Sequence, residues 1–120
     1  RPFAGIMLEE YQEEYFTETY PNEYMLYSLV VRPHQRRKLG AITHKDFSCR
    51  IQTVNNDLHP EVTTLLQKYN EITGIPILLN TSFNDNGQPI IETPKDAVDT
   101  FNNIDLDFLV INNFLITKNK

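Results

Sequence analysis

The densest run of side chains able to do chemistry is Asn80-Thr81-Ser82-Phe83-Asn84-Asp85-Asn86-Gly87, which follows the apolar stretch Ile75-Pro76-Ile77-Leu78-Leu79. A polar loop leaving the carboxyl end of a buried strand is where open α/β sheets bind ligands. Hydroxyl and amide donors of Ser and Asn suit phosphate oxygens there, with Phe83 as an apolar anchor. The same residues equally suit an Asn-rich turn whose side chains bond its own backbone. Arg50 stands in the alternating run Cys49-Arg50-Ile51-Gln52-Thr53-Val54, where a guanidinium either reaches solvent or clamps a phosphate in a concave site. His44 and Asp46 are two residues apart, enough for an oriented base or a proton shuttle, or simply for a surface histidine. Cys49 is either a small buried hydrophobe or a nucleophile. His34, His44 and His59 lack the spacing of ligands on one helix, so no metal site is expected. Walker and GxGxxG loops are absent from the sequence.

The elements that must hold these residues can be read from periodicity and punctuation. Leu8, Tyr11, Tyr15 and Phe16 predict a short amphipathic helix over residues 8–18, ended by Pro21-Asn22. Strands are expected over Tyr24 to Val31 and Cys49 to Val54, with the cations Arg36-Arg37-Lys38 in a solvated basic turn before Gly40. Pro60 at a first helical position and Gly74 just past the end predict a helix over 60–73, with Leu65, Leu66, Tyr69 and Ile72 on its inner face. The apolar run before Asn80 suits a strand buried on both faces. Thr93-Pro94-Lys95-Asp96 opens a helix to about Asn103. Two final strands, Phe108 to Ile111 and Phe114 to Thr117, flank Asn112-Asn113. Interleaved helices and strands give an α/β or α+β class with a mixed sheet, in one compact unit over 1–120.

Composition narrows the partners. The chain has 120 residues, 11 Lys plus Arg, 16 Asp plus Glu and a net charge of −5. No apolar run approaches the roughly 18 residues that cross a bilayer, and the overall charge is wrong for a general nucleic-acid binder. Yet residues 32–50 carry six cations and one Asp, while residues 1–24 carry one Arg and six Glu. Such a band focuses its field on a small anion. The single cysteine excludes an internal disulfide and fits a reducing, cytoplasmic setting. A start at Arg1-Pro2-Phe3, without initiator Met or signal peptide, is expected of a piece excised from a longer chain.

Several linked motifs together are more specific than any one. Arg1-Pro2-Phe3-Ala4, Val31-Arg32-Pro33, Thr43-His44-x-Asp46, Arg50-Ile51-Gln52-Thr53-Val54, Gly74-x-Pro76-Ile77-Leu78-Leu79-Asn80-Thr81-Ser82-Phe83-Asn84 and Gly87-x-Pro89-Ile90 occur in this order. The chain thereby resembles the C-terminal part of the NodU/CmcH-type O-carbamoyltransferases. The resemblance implies a YrdC-like fold, a twisted open mixed sheet with helices packed on it, following an N-terminal actin-like ATPase-type domain. In such enzymes the YrdC-like domain makes carbamoyl-adenylate from carbamoyl phosphate and ATP with Mg²⁺. The N-terminal domain, which holds Fe²⁺ or a similar metal, passes the carbamoyl group to a hydroxyl of a small acceptor. Carried over by motif, Arg1, Arg50, Asn80, Ser82 and Asn84 contact the nucleotide and carbamoyl-adenylate, with Arg50 and Ser82 closest to the chemistry. Two departures are that a Lys-x-Arg-Glu element lies upstream of Arg1 in the family, and that the family's Pro after the first motif is Gly5 here, expected as a local loop change. The alternatives are a nucleotide- or RNA-binding module and a non-catalytic interaction domain.

Overall fold

The computed structural model describes residues 3–84 and 87–118. Backbone contacts gather into two compact units, residues 1–81 and 82–120. The class is α+β, as expected, with a mixed four-stranded sheet in the first unit and a two-stranded sheet in the second.

The first sheet comprises β1 (Ala4–Leu8), β2 (Ser28–Val30), β3 (Ser48–Val54) and β4 (Ile77–Asn80), ordered β2-β3-β1-β4. β1 runs parallel to β3 and antiparallel to β4, and β2 runs antiparallel to β3. β1, an interior strand, was not legible in the sequence, because Ala and Gly are weak strand formers and the helical spacing starting at Leu8 masks its end. In place of a helix over 8–18 there is a 3₁₀ turn at Glu9–Tyr11 and a single helical turn, α1 (Gln12–Tyr15). Gly5 lies in mid-strand, correcting the expected loop, and faces Ile51 on one side and Leu79 on the other. A Cβ there would meet Ile51 Cδ1 at 2.5 Å and Ile42 Cδ1 at 3.0 Å, so a larger residue would force the Ile51 tip aside.

Period-two alternation divides the sheet's apolar residues between its faces. On one face Met7, Leu29, Cys49, Ile51 and Ile77 bury against Tyr15, Phe16, Leu39 and Ile42. On the other, Leu8, Val54, Ile6 and Leu78 meet Leu66 and Val62 of α2 (Pro60–Thr73). α2 has its expected bounds, and Gly74 ends it in the left-handed region (φ 76°), its N–H donating to the Asn70 carbonyl at 2.7 Å. Its inner stripe is Val62 and Leu66, however, and the expected Leu65 and Ile72 are 58% and 83% exposed. β4 is likewise an edge strand with Leu79 exposed, rather than a strand buried on both faces.

β2 pairs with β3 only as far as Arg50, and beyond that point Asn22 takes the place of a strand. Its Nδ2 donates to the Ile51 carbonyl at 2.8 Å, its carbonyl accepts the Thr53 N–H at 3.2 Å, and its own N–H donates to Thr53 Oγ1 at 2.7 Å. A buried amide satisfied in this way seals an edge that would otherwise expose unpaired backbone.

In the second unit α3 (Pro94–Asn103) starts at a Thr93 cap whose Oγ1 accepts the Asp96 N–H at 3.1 Å. β5 (Phe108–Ile111) and β6 (Phe114–Thr117) pair antiparallel around Asn112, whose φ of 52° turns the hairpin. Phe101, Ala97 and Leu109 form the core, with Phe83, Ile91 and Ile116 packed on it. Among the described residues no helix is long and apolar enough to cross a membrane.

Candidate functional site

The α2-covered face of the first sheet changes character along its length. At one end Leu8, Val54 and Leu78 lie under the helix. Towards the other end, alternation sends Arg50 and Gln52 of β3, Ala4 of β1 and Asn80 of β4 to the same face. Ser28 pairs with Arg50, and Ala4 pairs with Asn80. Because Gly5 pairs with Ile51 in the parallel ladder, Ala4 lies level with Arg50 one step back, so the row reads Ser28, Arg50, Ala4, Asn80. Arg50 and Asn80 stand two strands apart, on the order of 10 Å at the backbone, with only the Ala4 methyl between them.

The side chains in this row are poised differently. Arg50 is exposed and makes no ion pair or side-chain hydrogen bond among the described residues. Asn80 is half-buried, and its Nδ2 donates to Gln52 Oε1 at 3.0 Å. The remaining amide hydrogens of this pair and the guanidinium of Arg50 give a neutral-to-positive set of donors, with no carboxylate at the strand positions paired with them, which suits phosphoryl oxygens.

Two further arginines of the basic band are engaged elsewhere. Arg32 Nε donates to the Glu13 carbonyl at 2.7 Å, and the Arg36 guanidinium lies 3.6 Å over the Phe47 ring. Arg36 is therefore partly stacked rather than a fully solvated turn residue, while Arg37 and Lys38 are exposed as expected.

The loop residues beyond β4 form a second pair, within the second unit. Ser82 Oγ donates to Asn84 Oδ1 at 2.7 Å, and Asn84 Nδ2 donates to the Gln88 carbonyl at 3.0 Å. The Phe83 carbonyl accepts the Ile91 N–H at 3.1 Å and its ring joins that unit's core, so Phe83 is the anchor expected of it. Ser82 and Asn84 thus bond within their own loop, while Asn80 reaches another strand. Arg1 lies outside the described residues.

His44 and Asp46 build a turn. The His44 N–H donates to the Ser48 carbonyl at 2.8 Å, and Phe47 takes a left-handed φ of 66° to close the bend. Asp46 Oδ1 accepts from Ser48 Oγ at 2.6 Å and from the Ser48 N–H at 3.0 Å. Those bonds, with a smaller contribution from the charge of His44, hold the Asp46 carboxyl below its ordinary range. The carboxylate is directed at Ser48, with no hydrogen bond to the imidazole among the described residues. Cys49 is buried completely and desolvation pushes its thiol up to about 12, which suits the hydrophobe reading over the nucleophile.

Gln52 is the residue of this face that sequence reasoning left without a role. Its signal was available: it stands two positions from Arg50 in a strand, hence on the same side. Without β1 and its register, nothing indicated that Asn80 would be its partner.

Comparison with known proteins gives the family. The model for the carbamoyltransferase C-terminus matches residues 1–118. The chain belongs to the carbamoyltransferase C-terminus family. It is 42% identical to nodulation protein NolNO of Sinorhizobium fredii, over 98% of this chain and 18% of that protein. It is also 42% identical to nodulation protein NolO of Bradyrhizobium diazoefficiens, over 98% of this chain and 22% of that protein. An uncharacterised protein of Synechocystis is 38% identical over 98% of this chain and 22% of its own length. The chain therefore spans about a fifth of the curated relatives it matches. In this carbamoyltransferase C-terminal chain the Arg50 strand and the Asn80 strand end meet on one sheet face, and the Ser82–Asn84 pair follows directly in sequence.

Proposed function

We propose that this chain is the carbamoyl-adenylate-forming half of an O-carbamoyltransferase, using carbamoyl phosphate and ATP, in a YrdC-like fold. The observation that carries the reading is that Arg50 and Asn80 share one row of a sheet face in a carbamoyltransferase C-terminal chain. Water first releases phosphate from carbamoyl phosphate to leave carbamate. As a carbamate oxygen then attacks the α-phosphate of ATP and pyrophosphate departs, negative charge grows on the phosphoryl oxygens and on the leaving pyrophosphate. A guanidinium and fixed amide donors stabilise that charge more than they stabilise the ground state. Arg50 takes the phosphoryl oxygens and Asn80 orients the adenylate; the roles of Ser82 and Asn84, in the second unit, follow from the motif resemblance alone. Among the described residues no cluster of three or more His, Cys, Asp and Glu could hold a metal ion. Mg²⁺ enters as part of the ATP substrate, coordinated by its phosphates and by water. Transfer to the hydroxyl of a small acceptor falls to an N-terminal actin-like ATPase-type domain with its own metal.

The test is carbamoyl-phosphate-dependent release of pyrophosphate from ATP by the full-length protein. Arg50→Ala is expected to lower kcat/KM about a hundredfold. Retention of the parental rate in both Arg50→Ala and Ser82→Ala would instead support a domain whose main role is interaction. Binding to RNA that weakens steeply with salt and ignores carbamoyl compounds would support the nucleic-acid reading.

A further inference from the structure

We infer that Gln52 is a ligand-binding residue of this face, presenting its Nε2 hydrogens to the same anionic group as Arg50 while its Oε1 fixes the amide of Asn80. The inference rests on the carbamoyl-adenylate reading and adds to it a residue, together with the polarity of the contact.

Three observations support it. Gln52 and Arg50 share a face of β3 by strand alternation. The Asn80 Nδ2 to Gln52 Oε1 bond, 3.0 Å long, leaves both Nε2 hydrogens of Gln52 without an acceptor among the described residues. Gln52 is half-buried at an apolar boundary, since its ladder partner Ile6, and Leu78 beyond it, belong to the cluster under α2. The Nε2 group is not among the buried unpartnered atoms, so it is open to solvent, and a phosphoryl or carbamoyl oxygen held by Arg50 could replace water there. A neutral amide can serve here without opposing the guanidinium. The facing positions Ala4, Ile6, Ser28, Leu78 and Asn80, and Val62 and Leu66 of α2, carry no titratable group, the half-buried Tyr69 follows Leu66 along α2, and among the described residues Arg50 is the charged side chain in these rows.

The full-length protein and Mg²⁺–ATP provide the test. Gln52→Glu keeps an acceptor for Asn80 but replaces the donors with a carboxylate. It is expected to raise the Kd for ATP roughly tenfold or more near pH 8, the range for losing a bond to a charged group. The deficit relative to the parent protein should shrink towards about pH 5, as the carboxyl takes up a proton and regains a donor. A structural defect would not follow that titration, so a deficit independent of pH overturns the inference. Parental affinity in Gln52→Glu, with affinity lost in Arg50→Ala, also overturns it while leaving the carbamoyl-adenylate reading in place. Parental affinity in both removes that reading and the inference with it. If Gln52→Glu does not fold by circular dichroism, Gln52→Met carries the test, with a roughly threefold to tenfold rise in Kd expected and no rise overturning the proposal.

Discussion

The two ends of one sheet face use the same strands for opposite purposes. Under α2, Leu8, Val54 and Leu78 are closed off by Val62 and Leu66. A few residues along the same strands, Ser28, Arg50, Gln52 and Asn80 offer hydrogen-bonding groups around the small Ala4. The helix makes the difference by covering only one end, so residues of one alternating pattern become core at that end and candidate site at the other. Residues that hold the fold and residues proposed to hold a ligand are thus separated within single strands, and each can be changed while the other is monitored.

The largest effect is expected at the closed end. Leu66 is completely buried between Leu8 and Val54, and Leu66→Ala should destabilise the protein by about 2–5 kcal/mol through lost burial and a residual cavity. Urea unfolding would measure it, and a loss under about 1 kcal/mol would mean that the helix is not anchored there. At the open end the same measurement should find little. Arg50 is exposed and unpaired among the described residues, so Arg50→Ala should move stability by no more than about 0.5 kcal/mol while abolishing most adenylate formation. Were both variants to lose stability equally, the division between the two ends would fail.

The closed end was the more legible of the two. Pro60 and Gly74 mark α2 to the residue, and in the second unit Thr93 marks α3 and Asn112-Asn113 the hairpin, because capping and turn chemistry is local. The face of α2 was misread, since Leu65 and Ile72 are as apolar as the residues that pack, and only the docking partner decides between them. β1 was hidden by its small residues, and without β1 the mixed topology and the Gln52–Asn80 contact could not be inferred. Asn22 was read only as the end of a helix, although it seals the open edge of β3 through bonds to residues about thirty positions away. For the candidate site, motif resemblance supplied Arg50, Asn80, Ser82 and Asn84. Alternation alone could have added Gln52, whereas pairing Asn80 with it required the fold.

The smallest effect concerns the turn that launches β3 towards the open end. Asp46 is polar, exposed and four residues from Arg50, so sequence proximity would group it with the site, whereas its bonds to Ser48 group it with the fold. Those bonds favour the ionised carboxylate, so the folded protein binds a proton at Asp46 less readily than the unfolded chain does. The associated stabilisation is therefore fully present above the ordinary carboxylate range and is lost as pH falls through the lower folded value. Asp46→Asn removes this dependence. The stability difference between the parent protein and Asp46→Asn should be constant above about pH 5 and shrink as the medium is acidified below the ordinary Asp range. Adenylate formation near neutral pH should stay within about twofold of the parent, because surface changes away from a site leave it nearly intact. A much larger fall in rate, with the fold intact and an altered pH profile, would move the His44–Asp46 pair from scaffold to chemistry and extend the open end to the turn that precedes it.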